Sequence, residues 1–222
     1  MQVASTSYRA YALDLWGYGD TAHVAANYSL DQQAALIEHF LNEMGIGKVA
    51  LIGHGLGALV GMKFAMAFPQ TVDRIMAVSC PLNYESINVR LRTTSPGELT
   101  DWLANRTPEA ATALADASKA DPQAVPLSME PLRTDEFFST FRALNIPALL
   151  VYGERDQAIT VPQEETSNST LTQQFTLDES GHFPMLDESA KFNRLLTDFL
   201  ALESGASPSE LEMKEEWKRR VR

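Results

Sequence analysis

Short apolar runs and helical stripes alternate along the chain, the pattern of a parallel sheet whose strands are joined by helices. Residues 8–15 are rich in aromatic and aliphatic side chains and stop at Gly17 and Gly19, which predicts a first strand. Ser29 and Gln32 read as an S-x-x-Q capping box. Behind it Leu30, Ala34, Ile37, Leu41 and Met44 share one helical face, up to a stop at Gly45. Residues 48–52 predict a second strand. The helix over 57–68 carries a single charge, Lys63, before Pro69, so it is expected to be buried on more than one side. Further strands are predicted at 74–79, 148–152 and, more weakly, 173–177. A closing helix over 188–202 carries Phe192, Leu195, Leu196 and Phe199 on its stripe.

Between residues 81 and 144 the pattern loosens. Prolines at 81, 96, 108, 122, 126 and 131 punctuate short helical stretches, too long for an ordinary connection and read as a small inserted helical cap. The expected organisation is one α/β core over 1–202, with the cap inside it, then a linker and a charged helix over 203–222. In that helix Ser207, Pro208 and Glu210 supply an N-cap, a first-turn proline and a capping acid. Acidic residues come early and basic ones late, as the helix dipole prefers, and Met213, Trp217 and Val221 lie on one side. A solvated helix docking Trp217 on its own domain is the first expectation, and a helix docking a protein partner the second.

Composition narrows the partners. The chain has 222 residues, 45% hydrophobic, and a formal charge of -11. That sign repels phosphate backbones and anionic lipid, so neither nucleic acid nor a membrane surface is an expected partner. Cys80 is the lone cysteine, which excludes an intramolecular disulfide and makes a reducing, cytoplasmic setting the expectation. It is read as a buried small residue rather than a nucleophile. No apolar run approaches the roughly eighteen residues of a membrane span. The first seven residues lack the basic tip and apolar core of a signal peptide. The four histidines, 23, 39, 54 and 182, show no ligand spacing, so no metal is expected, and no glycine-rich phosphate loop calls for a cofactor. Met62, Phe64, Met66 and Phe68 are read as core.

The chemistry lies in three loops. A strand runs into Gly53-His54-Gly55-Leu56-Gly57 and then directly into a buried helix, the setting of a nucleophile elbow, G-x-S-x-G. Gly153-Glu154-Arg155-Asp156 places an acid beyond a strand, and Ser180-Gly181-His182 places a histidine in a loop after the next one. With Asp14-Leu15-Trp16-Gly17-Tyr18-Gly19-Asp20, these motifs resemble the α/β-hydrolase fold family, in its esterase- and epoxide-hydrolase-like subgroup, over about residues 8–202. The resemblance implies a mostly parallel sheet flanked by helices. It also implies a site of Asp156 and His182 with residue 55 as nucleophile and the Leu56 backbone N–H as an oxyanion donor.

Two departures qualify that implication. Residue 55 is Gly, which has no side chain to attack with, and losing the nucleophile of such a triad costs about 10⁶-fold in turnover, near 8 kcal/mol. In the family, further strands and a His-Gly-type loop precede the turn at Asp14; here they are expected to be missing, with Met1 an internal methionine of a longer chain. His54 is expected to point away from the elbow tip as a packed structural histidine. The leading functional reading is a degenerate hydrolase that binds a small apolar or acyl-type ligand. The alternatives are an active hydrolase, through His-activated water or with Gly55 in place of a natural serine, and an interaction module acting through 207–222.

Overall fold

The computed structural model describes residues 5–103, 111, 115–133, 136–162 and 171–211. Four parallel strands, β1 (Val49–His54), β2 (Val72–Val78), β3 (Ala148–Gly153) and β4 (Thr172–Leu177), lie in chain order across one sheet. Four of the strands expected from the sequence are these, each displaced by no more than two residues. Parallel neighbours need a crossover to bring the chain back. Helix α1 (Leu30–Glu43) precedes β1, and α2 (Leu56–Ala67) joins β1 to β2. The described helices between β2 and β3 include α3 (Arg90–Thr93), α4 (Pro96–Leu103), α5 (Ala124–Met129) and α6 (Glu136–Arg142). After β4 come α7 (Pro184–Asp187) and α8 (Ser189–Ala201).

The period-two alternation of the strands sorts the core into two layers. On one face Ile75, Ala77, Ala148, Leu150 and Tyr152 pack with Ala58, Leu59, Val60 and Met62 of α2 and with Met129, Leu132 and Phe138 of the insertion. On the other, Met76, Val78, Leu149 and Val151 pack with Phe192, Leu195, Leu196 and Phe199 of α8. Helix α2 is apolar all round because it is covered twice: Phe64 and Ala65 meet Ala34 and Leu41 of α1. The predicted caps hold as well. The Ser29 side chain accepts from the Gln32 amide at 3.3 Å, and Gly45 leaves α1 at φ +64°. Cys80 and Met62 are fully buried against each other.

Residues 8–15 do not form the predicted strand. They belong to no strand ladder, with Tyr8 and Tyr11 about two-fifths exposed. Apolar content marks a segment able to pair, but a strand exists only where a neighbour offers its free edge. Instead this segment crosses α1: Tyr11 meets Phe40 edge-on at 5.3 Å, and the buried Gln33 amide bonds both the amide and the carbonyl of Trp16, at 2.8 and 3.0 Å. Among the described residues the ladder partner of β1 is β2, and 8–15 do not pair with β1. At the other end, Ser207 caps only a single turn, Pro208–Glu210. The rest of the predicted helix, including Met213, Trp217 and Val221, lies outside the described residues. Among the described residues no helix is long and apolar enough to cross a membrane.

Candidate active site

All four strands end at the same edge of the sheet, so the loops leaving their carboxyl ends converge there. After β1 the chain turns at Gly55 with φ +50° and ψ −115°, a conformation that strains any residue bearing a side chain. The turn is also close-packed: a Cβ on Gly53 would lie 2.5 Å from the backbone nitrogen of Ala58. Gly55 donates to the Val78 carbonyl at 2.9 Å and accepts from Ala58 and Leu59 at 3.1 and 3.2 Å. The Leu56 N–H opens α2 and has no partner among the described residues, as is usual for the first amides of a helix. Such a group suits an oxyanion donor.

After β3, Asp156 turns inward with its side chain fully buried. Its Oδ1 accepts from the backbone amides of Ala158 and Ile159 at 2.8 and 3.2 Å, and its Oδ2 from Nδ1 of His182 at 2.9 Å. Burial alone would push this carboxyl up, but the bond and charge of His182 and the two amides outweigh it and hold Asp156 below the usual carboxylate range. The histidine loop is seated on the acid loop. Arg155 N donates to the Ser180 carbonyl at 2.9 Å, and a Cβ on Gly153 would meet the Gly181 oxygen at 2.1 Å.

With its Nδ1 proton engaged by Asp156, His182 presents the Nε2 lone pair on its other side. That nitrogen lies 3.8 Å from where a Cβ on Gly55 would stand, and outside Gly55 and its chain neighbours His54 and Leu56 it is the sole heavy atom within 4 Å of that point among the described residues. The structure thus brings together Gly55, Leu56, Asp156 and His182, the four residues singled out by sequence. The acid–histidine pair faces an elbow tip that carries hydrogen alone.

Two participants escaped the sequence reading. His54 does not point away from the site. Its Nε2–H donates to the His182 carbonyl at 2.7 Å, and its ring stacks on Phe183 at 4.9 Å and meets the His182 ring edge-on at 4.7 Å. The second is Ser79, fully buried at the end of β2 with φ +45°, whose Oγ donates to the same carbonyl at 3.0 Å. Both orient the His182 backbone, and no sequence pattern marks them because their partner comes from a loop more than a hundred residues away.

Burial, and then the neighbouring His182, push His54 down to about 3. A base with a lowered folded pKa is held neutral in the fold, so the unfolded chain takes up an extra proton as pH falls below about 6.5. Stability from this residue is therefore complete above that value and is lost progressively towards pH 3. His54→Gln keeps a donor in place of Nε2 without titrating. Urea unfolding of this variant should show a visibly flatter decline between pH 6 and 4 than the parent.

The site opens into a cavity of about 630 Å³. Leu91, Leu99, Leu103, Val125, Met129 and Ile159 give it an apolar wall, while Asp14, Asp20, Asp116 and Lys119 stand at its polar side. The turn at 14–20 holds its shape through Gly17, where a Cβ would strike the Tyr28 ring at 2.6 Å, and through the Tyr28 hydroxyl, which donates to Asp121 at 2.7 Å. Met62, Phe64, Met66 and Phe68 belong to the core and its margin, as their pattern predicted. Among the described residues no three His, Cys, Asp or Glu side chains converge as a metal cage requires.

Comparison with known proteins gives a consistent picture. An uncharacterized protein of Mycobacterium tuberculosis is 26% identical over 85% of this chain, which spans 66% of that relative's length. The protein RutD of Shigella flexneri, whose name assigns it provisionally to carbamate hydrolysis, is 26% identical over 90% of this chain and 84% of its own. Two solved structures share the fold. A meta-cleavage product hydrolase of Pseudomonas fluorescens superposes with a TM-score of 0.74 at 21% identity, over 90% of this chain and 82% of its own. A serine-to-glycine mutant of the N-acyl homoserine lactonase AidH, complexed with N-hexanoyl homoserine lactone, superposes with a TM-score of 0.70 at 18% identity, over 84% and 77%. The model of the alpha/beta hydrolase family matches residues 2–195, and with the elbow, acid and histidine loops in their order, the chain belongs to that family.

Proposed function

We propose that this protein binds a small, largely apolar acyl-type ligand in the cavity beside His182, and that the acyl-enzyme route of its family is closed to it by Gly55. The observation that carries the reading is the Asp156–His182 pair aimed at a tip without a side chain, at the floor of an apolar cavity. In a triad the histidine receives the nucleophile's proton and the acid holds its tautomer, so the pair alone forms no acyl-enzyme. A lactonase of the same fold with a serine-to-glycine substitution is complexed with an acylated lactone, which supports binding by a chain of this kind.

Titration with N-hexanoyl homoserine lactone and with phenyl butyrate, followed calorimetrically and by thermal shift, tests the proposal. Saturable binding of at least one ligand with a raised Tm is expected, and intact-mass spectra should show no acyl adduct. Filling the wall with Leu99→Trp should weaken that binding tenfold or more. Rapid turnover through a covalent acyl intermediate, or no binding of either compound, would refute it.

A further inference from the structure

A second, smaller cavity adjoins the histidine loop. Its volume is about 190 Å³, and Trp102, Arg155, Gln157 and Glu179 line it together with Leu103 and His182, which it shares with the larger cavity. Where the larger space has an aliphatic wall, this one gathers two opposite charges and an amide. Among the described residues, the side chains of Arg155 and Glu179 make no ion pair or hydrogen bond, either with each other or with a third group.

The segments that carry these groups are pinned. The Arg155 amide donates to the Ser180 carbonyl at 2.9 Å, while the Glu179 amide and the Ser180 hydroxyl donate to Glu188 at 3.0 and 2.7 Å. Gln157 is oriented as well. Its side-chain oxygen accepts from the Trp102 indole N–H at 3.0 Å, so its NH2 end is the one left to donate to a guest. Asn88 donates to the Gln157 backbone carbonyl at 3.0 Å, and the Arg90 guanidinium lies 4.0 Å over the Trp102 ring. The donors are thus set on one loop and the acceptor on the next, around a space that neither charge fills.

From this we infer that the smaller cavity binds a zwitterion, an α-amino acid with a short side chain. Its carboxylate accepts from the Arg155 fork and the Gln157 NH2, and its ammonium donates to Glu179. A planar guanidinium matches a carboxylate with two parallel bonds, which an ammonium partner would not provide. A simple acid would leave Glu179 unpaired and facing a like charge, and a simple amine would do the same to Arg155. The volume has room for about six water molecules, and alanine has as many non-hydrogen atoms. Trp102 and Leu103 offer apolar contact to its methyl group. Arg155, Gln157 and Glu179 are exposed, so the binding weakens as salt screens the two charges. The site is separate from the acyl-type ligand of the larger cavity and does not depend on it.

Equilibrium dialysis of the whole chain against radiolabelled L-alanine, at low ionic strength, tests the inference. Saturable binding of one L-alanine per chain is expected, with glycine displacing it. Propionate, which lacks the ammonium, and ethylamine, which lacks the carboxylate, should each compete about tenfold more weakly than glycine or worse. Arg155→Gln and Glu179→Gln should each weaken L-alanine binding about fivefold or more, and the double variant should abolish it. Both changes lie on exposed side chains, and the analogue series in the parent chain decides the matter without them. No saturable binding of L-alanine or glycine at tens of millimolar, propionate or ethylamine competing as well as glycine, or binding that survives the double variant would overturn the inference.

Discussion

Gly55→Ser is expected to convert an inert elbow into one that a fluorophosphonate labels, with one phosphonyl group per chain where the parent takes none. The geometry supports this change without rearrangement. Outside its two chain neighbours and among the described residues, a Cβ at residue 55 meets only Nε2 of His182, at 3.8 Å, so a serine Oγ reaches hydrogen-bonding distance of the base by rotation about one bond. Asp156 already fixes the tautomer that receives its proton. Aryl ester turnover should rise by at least 10³-fold, part of the roughly 10⁶-fold that a nucleophile of this type supplies. The cost falls on the backbone. A side chain at φ +50°, ψ −115° is strained by about 1–3 kcal/mol, so the variant should unfold at lower urea concentration than the parent. Combining His182→Ala with Gly55→Ser should slow labelling by several orders of magnitude. A Gly55→Ser chain that folds, binds phenyl butyrate and resists the fluorophosphonate would show that the pair is not poised over the elbow as described.

How much of this was legible beforehand depends on which forces place each residue. Strands β2 and β3 were readable because an apolar-rich run between turn signals has few other uses and burial on both faces of a parallel sheet enforces it, whereas β1 and β4, on the outside of the four, are largely half-buried and β4 gave the weaker signal. Gly55, Leu56, Asp156 and His182 were readable because each sits at the first or second turn after a strand, where the topology brings loop residues together whatever their separation. Residues 8–15 misled for the opposite reason. Their composition suits a strand, but pairing depends on a free edge, and Gln33 instead ties Trp16 to α1. His54 and Ser79 take their orientation from the carbonyl of His182, a contact that no local pattern encodes. The proline-punctuated insertion announced helices without their limits, since its segments are short and find their apolar partners, such as Met129 and Phe138, only across the sheet face.

Arg74 carries the second large effect, and it lies far from the site. The residue sits on β2 yet is 4% exposed, which a charge tolerates only when paired and hydrogen-bonded. Its guanidinium donates to the carbonyls of Phe199, Leu202 and Glu203 at 2.5, 2.8 and 3.1 Å, and to Asp73 at 2.7 Å, with its carbon 5.6 Å over the Phe199 ring. Phe199 lies in the last turn of α8 and Leu202 and Glu203 just beyond it, so one side chain ties down the end of the helix that covers a whole face of the sheet. Arg74→Ala should therefore destabilise by about 3–5 kcal/mol, because it strands the buried Phe199 carbonyl and the part-buried Leu202 carbonyl and removes one of the partners of Asp73. Arg74→Lys should recover little, since a single ammonium cannot match a planar fork of donors to three carbonyls and a carboxylate at once. The expected readout is a urea midpoint shifted far below the parent's for both variants with an unchanged slope. Asp73 gives a check on the same contact. Although burial opposes it, bonds from Ser204, Arg74 and Lys48 hold this carboxyl down at about 2, so its contribution is present above about pH 4 and lost as pH falls towards 2. Removing Arg74 should raise that pKa and bring the acid loss to higher pH; an Arg74→Ala chain with parental stability and an unmoved acid limb would mean that α8 is held by its apolar stripe alone.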